Sequence, residues 1–484
     1  MSSASQSANN KEKNPDYQSV NQQVFPSTAR RGSNCGELKL QGIKASTLAA
    51  TYGTPLYIVD EPEVRERARK MREVFESEAE RIGTTASVYY ASKALLNIAV
   101  AQWITEEGLS IDVATGGELQ VALAAGVDPA RIGLHGNNKS VAEIERAVEA
   151  GVGTIVIDSE QEIDRVAEAA KAAGVRQKVR LRVNSGVHAS THDYLATSHE
   201  DQKFGLPLKR APEIVKAMRN HKSLEFIGLH CHIGSQIFAT EGFEESARRL
   251  LSIYGELAEG GAIAELNLGG GYGIAYTSDE ASQVPDIAEV ARDITDSVAK
   301  ACAEFKIPIP KLAFEPGRSI TGPAGITLYE VGTTKKVELA GSDSAEESIE
   351  ESFDTRLYVS VDGGMSDNAR PALYGAQYEA RLANRRSEAA PALARVVGKH
   401  CESGDIVVDR GLLPADICPG DLVAVAATGA YCWSLSSNYN YLPRPPMVAV
   451  KDGVSRLIVR GQREEELIAQ SITDAETINH TSAD

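Results

Sequence analysis

The residues best suited to chemistry in this chain fall in five short motifs. These are Tyr90-Ala-Ser-Lys93-Ala94, His230-Cys-His-Ile-Gly-Ser-Gln236, Gly269-Gly-Gly-Tyr-Gly273, Glu315-Pro-Gly-Arg318 and Cys401-Glu-Ser-Gly-Asp405. A lysine amine can form an imine with an aldehyde. Glycines lack a Cβ and so expose backbone N–H groups to a phosphate. A carboxylate can keep a pyridine nitrogen protonated, which makes the ring draw electrons. Amine, phosphate cradle and acid are what pyridoxal 5′-phosphate requires. Each motif is a weak signal singly, but their order along the chain is specific.

Lys93 follows the apolar run Val88 to Ala91. Lysines are ordinarily surface residues; at a strand end, a desolvated amine would be the stronger nucleophile, and Lys93 is read as the imine-forming residue. The glycines of 269 to 273 could simply mark a turn, but with Ser235 and the backbone around Gly317 and Arg318 they can form a phosphate cradle. Glu315 is read as the partner of the pyridine nitrogen, and His232 as an imidazole stacked on the ring. His230 and Cys231 are expected to be strand-packing residues. A metal at the His-x-His pair is not expected, because no second group of ligands lies nearby in sequence. Cys401 and Glu402 offer a thiol proton donor and a carboxylate for an ammonium group, brought in across a domain or subunit boundary. Tyr431, and Arg370 with Tyr374, add polar groups from the same region.

The elements that must position these residues are legible as a repeat. From about 85 to 318, short β-branched runs alternate with Ala/Glu-rich amphipathic stretches. The spacing predicts strands at 87–91, 109–113, 131–135, 154–158, 178–183, 226–230, 264–268 and 311–315, and helices at 95–107, 117–125, 141–150, 160–173, 243–258 and 287–305. Eight parallel strands with right-handed crossovers close into a (β/α)8 barrel of the TIM type, whose site lies at the carboxyl ends of the strands. Lys93, Asp112, His232, the glycines and Glu315 all fall at those ends.

After Arg318 the pattern becomes β-rich, at 326–331, 357–361, 394–397, 422–425 and 447–450, which predicts a C-terminal all-β domain with a strand added from 55–59. The expected division is a disordered tail at 1–33, an N-terminal segment of the β domain at 34–60, the barrel at 61–318, the β domain at 319–465 and an acidic tail at 466–484. The acidic stretch 338–354 reads as a solvated hairpin insertion. A net charge of −17 argues against a nucleic-acid or anionic-membrane surface. No apolar run reaches the roughly 20 residues that cross a bilayer. Six cysteines without a Cys-x-x-Cys pair, and the lack of an apolar signal core, lead us to expect free thiols and a cytoplasmic enzyme.

On the Tyr90–Ala94, HIGSQ, GGGYG and EPGR motifs, and over about 38 to 460, the sequence resembles the diaminopimelate decarboxylase family, of the alanine-racemase-like (fold-type III) pyridoxal-phosphate class. The resemblance implies Lys93 as Schiff-base lysine, His232 as stacking residue, and Ser235, Gly270, Gly271, Gly273, Gly317 and Arg318 around the phosphate. It further implies Glu315 at the pyridine and Asp112 and Arg182 elsewhere in the cofactor pocket. For the substrate it implies Arg318, Arg370 and Tyr374 near the distal carboxylate, Glu402 near the distal amine, Tyr431 touching cofactor and substrate, and Cys401 as proton donor. The implied reaction is decarboxylation of meso-2,6-diaminopimelate to L-lysine, in a homodimer with shared sites. The alternatives are an ornithine or arginine decarboxylase on the same scaffold, disfavoured by the two arginines, and a non-catalytic regulatory homologue, disfavoured by Lys93, Glu315 and Cys401 together.

Overall fold

The computed structural model describes residues 16–33, 36–187, 203–339 and 353–472. All eight expected barrel strands are present: β1 (Ala86–Ala91), β2 (Ser110–Val113), β3 (Ile132–Leu134), β4 (Thr154–Ile157), β5 (Gln177–Asn184), β6 (Leu224–His230), β7 (Glu265–Asn267) and β8 (Lys311–Phe314). All neighbours are parallel, β8 pairs with β1 through Phe314 and Val88, and β5 pairs with both β4 and β6, so the sheet closes. Such strands are covered on both faces, which is why β4 is buried at every position. Local signals set the helix ends. Asn97 caps the helix Ile98–Glu106 by accepting from the N–H of Val100, so it starts three residues later than its apolar pattern suggests. Ser140 and Glu143 form a reciprocal capping box on Val141–Ala150. The expected helix at 243–258 divides into Glu241–Leu251 and Tyr254–Glu259, and Ser252 Oγ donates back to the Arg249 carbonyl at the break.

The barrel interior is not wholly apolar. Arg180 on β5 donates through Nε to Glu265 on β7 at 2.6 Å and reaches the hydroxyl of Tyr89 on β1 at 3.0 Å, with both charged side chains buried. This pair crosses the barrel beneath the catalytic rim and fixes three strands against one another.

The second unit is a mixed sheet. Strand Gly325–Glu338 pairs antiparallel with Thr355–Val361, with Leu422–Val425 and with the N-terminal strand Leu56–Asp60, which in turn lies parallel to Met447–Lys451. The N-terminal strand contribution is thus a central strand, immediately before the helix Glu61–Arg81 that starts the barrel. The stretch 338–354 lies mostly outside the described residues. A disordered tail over 1–33 is corrected for its second half. Val24, Phe25 and Ala29 are fully buried with Leu38, Ile58, Ile326 and Val448, and Gln18 exchanges hydrogen bonds with the backbone of Ser387. A few apolar anchors fill a groove of the β domain even though the average composition is polar. Residues 1–15 and 473–484 lie outside the described residues.

Candidate active site

At the carboxyl ends of the barrel strands lies a cavity of about 340 Å3, lined by Lys93, Asp112, Arg182, His232, Ser235, Gly271, Glu315, Gly317, Arg318, Tyr374 and Tyr431 of the expected residues, together with His135, His230 and Phe204. A larger cavity of about 400 Å3 lies behind the glycine loop, between the helices Glu61–Arg81 and Ile287–Phe305, and is lined by none of Lys93, His232 and Glu315, which meet in the smaller one.

Lys93 sits in a one-turn 3-10 helix, Ser92–Ala94, directly after β1. Its side chain is exposed to the cavity. The last residues of the strands supply the acid end. Glu315 follows β8 and is held by His230 at 3.2 Å and by Asn267 Nδ2 at 2.7 Å. His135 Nε2 lies 3.6 Å from the same carboxylate and 3.1 Å from Asp112 Oδ1. Burial alone would raise the Glu315 carboxyl, but His230 and His135 outweigh it and hold it well below the usual range, while burial and the Glu315 charge push Asp112 up. Burial holds His135 and His230 down at about 4. His230 is therefore neutral, and the bond to Glu315 assigns its proton to Nε2 and leaves Nδ1 without a partner.

His230 is thus no mere packing residue. His135 and Asn267 were not read from the sequence at all, although their positions, one residue past β3 and the last of β7, are where a barrel carries its functional groups. His135, His230 and Glu315 present donor atoms within 4.8 Å of one another, a set that excludes His232.

The phosphate end is built by close backbone approach. Gly271 has φ +112°, and a Cβ on Gly270 would stand 1.9 Å from the Glu315 carbonyl. The loop is tied down by Glu315 N to Gly269 O at 2.8 Å and Ile237 N to Gly271 O at 2.9 Å. The Gly270 N–H donates to His232 Nδ1 at 3.3 Å, and burial together with Lys93 keeps that imidazole neutral. Arg318 donates to Ser235 Oγ at 2.6 Å and to the Tyr276 hydroxyl, and lies over the Tyr431 ring at 4.8 Å. Arg182 stacks on Phe204 at 4.5 Å and approaches Asp158 at 3.8 Å.

Gly270, Gly273, Arg370, Cys401 and Glu402 do not line this cavity. The two glycines act from within the loop. Arg370 is 5 % exposed, its guanidinium donating to Tyr378 at 2.6 Å and lying over Tyr276 at 4.5 Å. Cys401 and Glu402 are exposed on the β domain, and Glu402 accepts from the Tyr439 hydroxyl. Within one chain the structure does not bring them to Lys93.

The cavity fits pyridoxal phosphate. Buried polar atoms without a hydrogen-bond partner, Asp112 Oδ2, His230 Nδ1 and Arg318 Nε, belong to residues that line it. Its volume lies in the usual range of about 300–1,000 Å3 for small-molecule sites. Amine, glycine loop and ionised acid are those the cofactor's aldehyde, phosphate and pyridine need.

Residues 62–322 match the family described as "Pyridoxal-dependent decarboxylase, pyridoxal binding domain". The chain is 48% identical over 457 residues to a diaminopimelate decarboxylase of Mycobacterium tuberculosis, covering 93% of this chain and 98% of the relative. It is 44% identical over 453 residues to that of Corynebacterium efficiens, covering 93% and 94%. Among solved structures, a diaminopimelate decarboxylase from M. jannaschii in co-complex with L-lysine superposes with a TM-score of 0.81 at 30% identity, covering 92% of this chain and 98% of the other.

Proposed function

We propose the activity from one premise: this chain belongs to the diaminopimelate decarboxylases, a branch of the pyridoxal-dependent decarboxylases. It removes one carboxyl group of meso-2,6-diaminopimelate as carbon dioxide and leaves L-lysine. The observation that carries this is the convergence of Lys93, His232, Glu315 and Arg318 on one cavity at the barrel rim.

Bound there, pyridoxal phosphate supplies an electron sink for the charge left as carbon dioxide departs. Lys93 is the amine that would hold the cofactor's aldehyde. Glu315, kept ionised by His230, His135 and Asn267, would pair with a protonated ring nitrogen. Neutral His232 would lie against the ring. Ser235, Gly270, Gly271, Gly273, Gly317 and Arg318 would hold the phosphate, Asp112 and Arg182 would border the ring, and Tyr431 would reach both cofactor and substrate. Arg318, Arg370 and Tyr374 serve the remote carboxylate, and Glu402 the remote ammonium. Cys401 would be the proton donor.

Cys401 and Glu402 lie outside their own chain's cavity, which supports a homodimer in which the β domain of one subunit would complete the barrel site of the other. Among the described residues no helix is long and apolar enough to cross a membrane, and five cysteines are unpaired; both are consistent with work in the cytoplasm. The test is carbon dioxide release from meso-diaminopimelate, ornithine and arginine by enzyme saturated with pyridoxal phosphate. Turnover of diaminopimelate far above the other two is expected. Preference for ornithine or arginine, or inertness to all three, overturns the reading.

A further inference from the structure

Two buried guanidinium groups share one aromatic ring. Arg318, from the barrel, and Arg370, from the β domain, lie 5.6 Å and 4.5 Å from the centroid of Tyr276, which is 4 % exposed. Among the described residues neither arginine forms an ion pair. A buried cation without a counter-ion is costly, and the tyrosines lessen that cost through their ring faces and hydroxyls.

The contacts form a continuous chain across the two domains. Ser235 accepts from Arg318, and the Tyr276 hydroxyl accepts from the same guanidinium. The Tyr276 ring meets Tyr378 edge-on at 5.2 Å, and the Tyr378 hydroxyl accepts from Arg370 at 2.6 Å. The loop that carries Tyr276 runs on from the phosphate glycines. It is fastened by Tyr276 N to Glu280 at 2.8 Å and to the β domain by Ser278 N to Glu379 at 2.7 Å.

We propose that Tyr276, backed by Tyr378, is the positioning residue that holds Arg318 and Arg370 together as a paired receptor for a remote carboxylate, and that it thereby sets the substrate class. This deepens, and rests on, the proposed activity. Two like charges on one ring form an arrangement completed by anions; the phosphate answers Arg318, and a ligand without a second carboxylate leaves Arg370 unpaired. Tyr276 touches neither the amine nor the acid of the reacting centre. Its loss therefore weakens binding of the ligand's far end without altering the chemical step.

The test compares wild type with Tyr276→Phe and Tyr378→Phe, each of which keeps its ring and removes one hydroxyl. L-lysine retains the remote carboxylate after decarboxylation, whereas 1,5-diaminopentane has none. Affinities for both are read from the visible band of the pyridoxal-loaded enzyme, beside kcat and KM for diaminopimelate. Loss of one hydrogen bond to a charged group predicts a rise of about tenfold in KM and in the L-lysine dissociation constant for each variant. With kcat within about twofold and diaminopentane affinity unchanged, uniform binding to the remote end is what has been lost. Unchanged L-lysine affinity, or equal weakening of both ligands, overturns the assignment. A wild-type enzyme inert towards diaminopimelate would instead overturn the proposed activity, and the two ligand affinities would still decide whether the clamp exists.

Discussion

Replacement of Glu315 by glutamine keeps the volume of the side chain and removes its charge. In the native site one carboxylate oxygen accepts from Asn267 Nδ2 at 2.7 Å, and His230 Nε2 lies 3.2 Å away. A glutamine amide can satisfy only one of these donors, because its NH2 group faces the other, and an unsatisfied buried donor costs about 1–3 kcal/mol. The functional loss is larger. A hydrogen-bonded pair of opposite charges about 4 Å apart is worth about 4 kcal/mol at an effective dielectric of about 20. If the ring proton loses that partner, kcat falls about a thousandfold. The imidazoles respond too, since the Glu315 charge raises both His135 and His230 against their burial, and both move further down in the variant. The assay is kcat for carbon dioxide release at saturating cofactor and substrate, beside the urea midpoint and the visible band. A Glu315→Gln enzyme with kcat within about fivefold of wild type would refute the role of this carboxylate, whatever the change in stability.

Lys93→Ala should abolish turnover and the borohydride-reducible visible band while leaving the unfolding midpoint intact; a variant working at the wild-type rate would remove Lys93 from the site. Co-refolding equal amounts of Lys93→Ala and Cys401→Ala chains should restore about a quarter of wild-type activity, because about half the dimers are mixed and each of these has one intact site. No recovery, with mixed dimers demonstrated, would mean that both residues serve a site within one chain. His135 and His230 are held at about 4, below the 6.5 of an ordinary imidazole. Between those values the unfolded chain binds more protons than the native one, so stability is retained above pH 6.5 and lost as pH falls towards 4. The loss between pH 7 and pH 5 is about 2 kcal/mol per histidine. Unfolding free energies of wild type and His135→Asn from urea titrations over that interval should diverge by that amount, and parallel curves would refute it.

Much of this protein is legible in one dimension because its signals are local. Each barrel strand announces itself by a short β-branched run and each helix by its period and cap, so all eight strands, and the placing of Lys93, His232 and Glu315 at their ends, follow from pattern and chain order. The N-terminal strand is legible for the same reason, since 55–59 is apolar and brief. Whatever depends on a partner distant in sequence was decided only when the chain closed. His135 and Asn267 matter because they meet Glu315, and His230 passes for a packing residue until that carboxylate stands 3.2 Å away. Residues 16–33 have the composition of a tail, yet Val24 and Phe25 fill a groove assembled from strands more than 300 residues apart in the chain. The meeting of Tyr276 with Arg318 and Arg370 exists only once two domains pack together. Local order costs little entropy to specify and is written in neighbouring residues. The charges and hydrogen bonds of the site gain their strength from burial, and only tertiary packing creates the low-dielectric interior that gives them their effect.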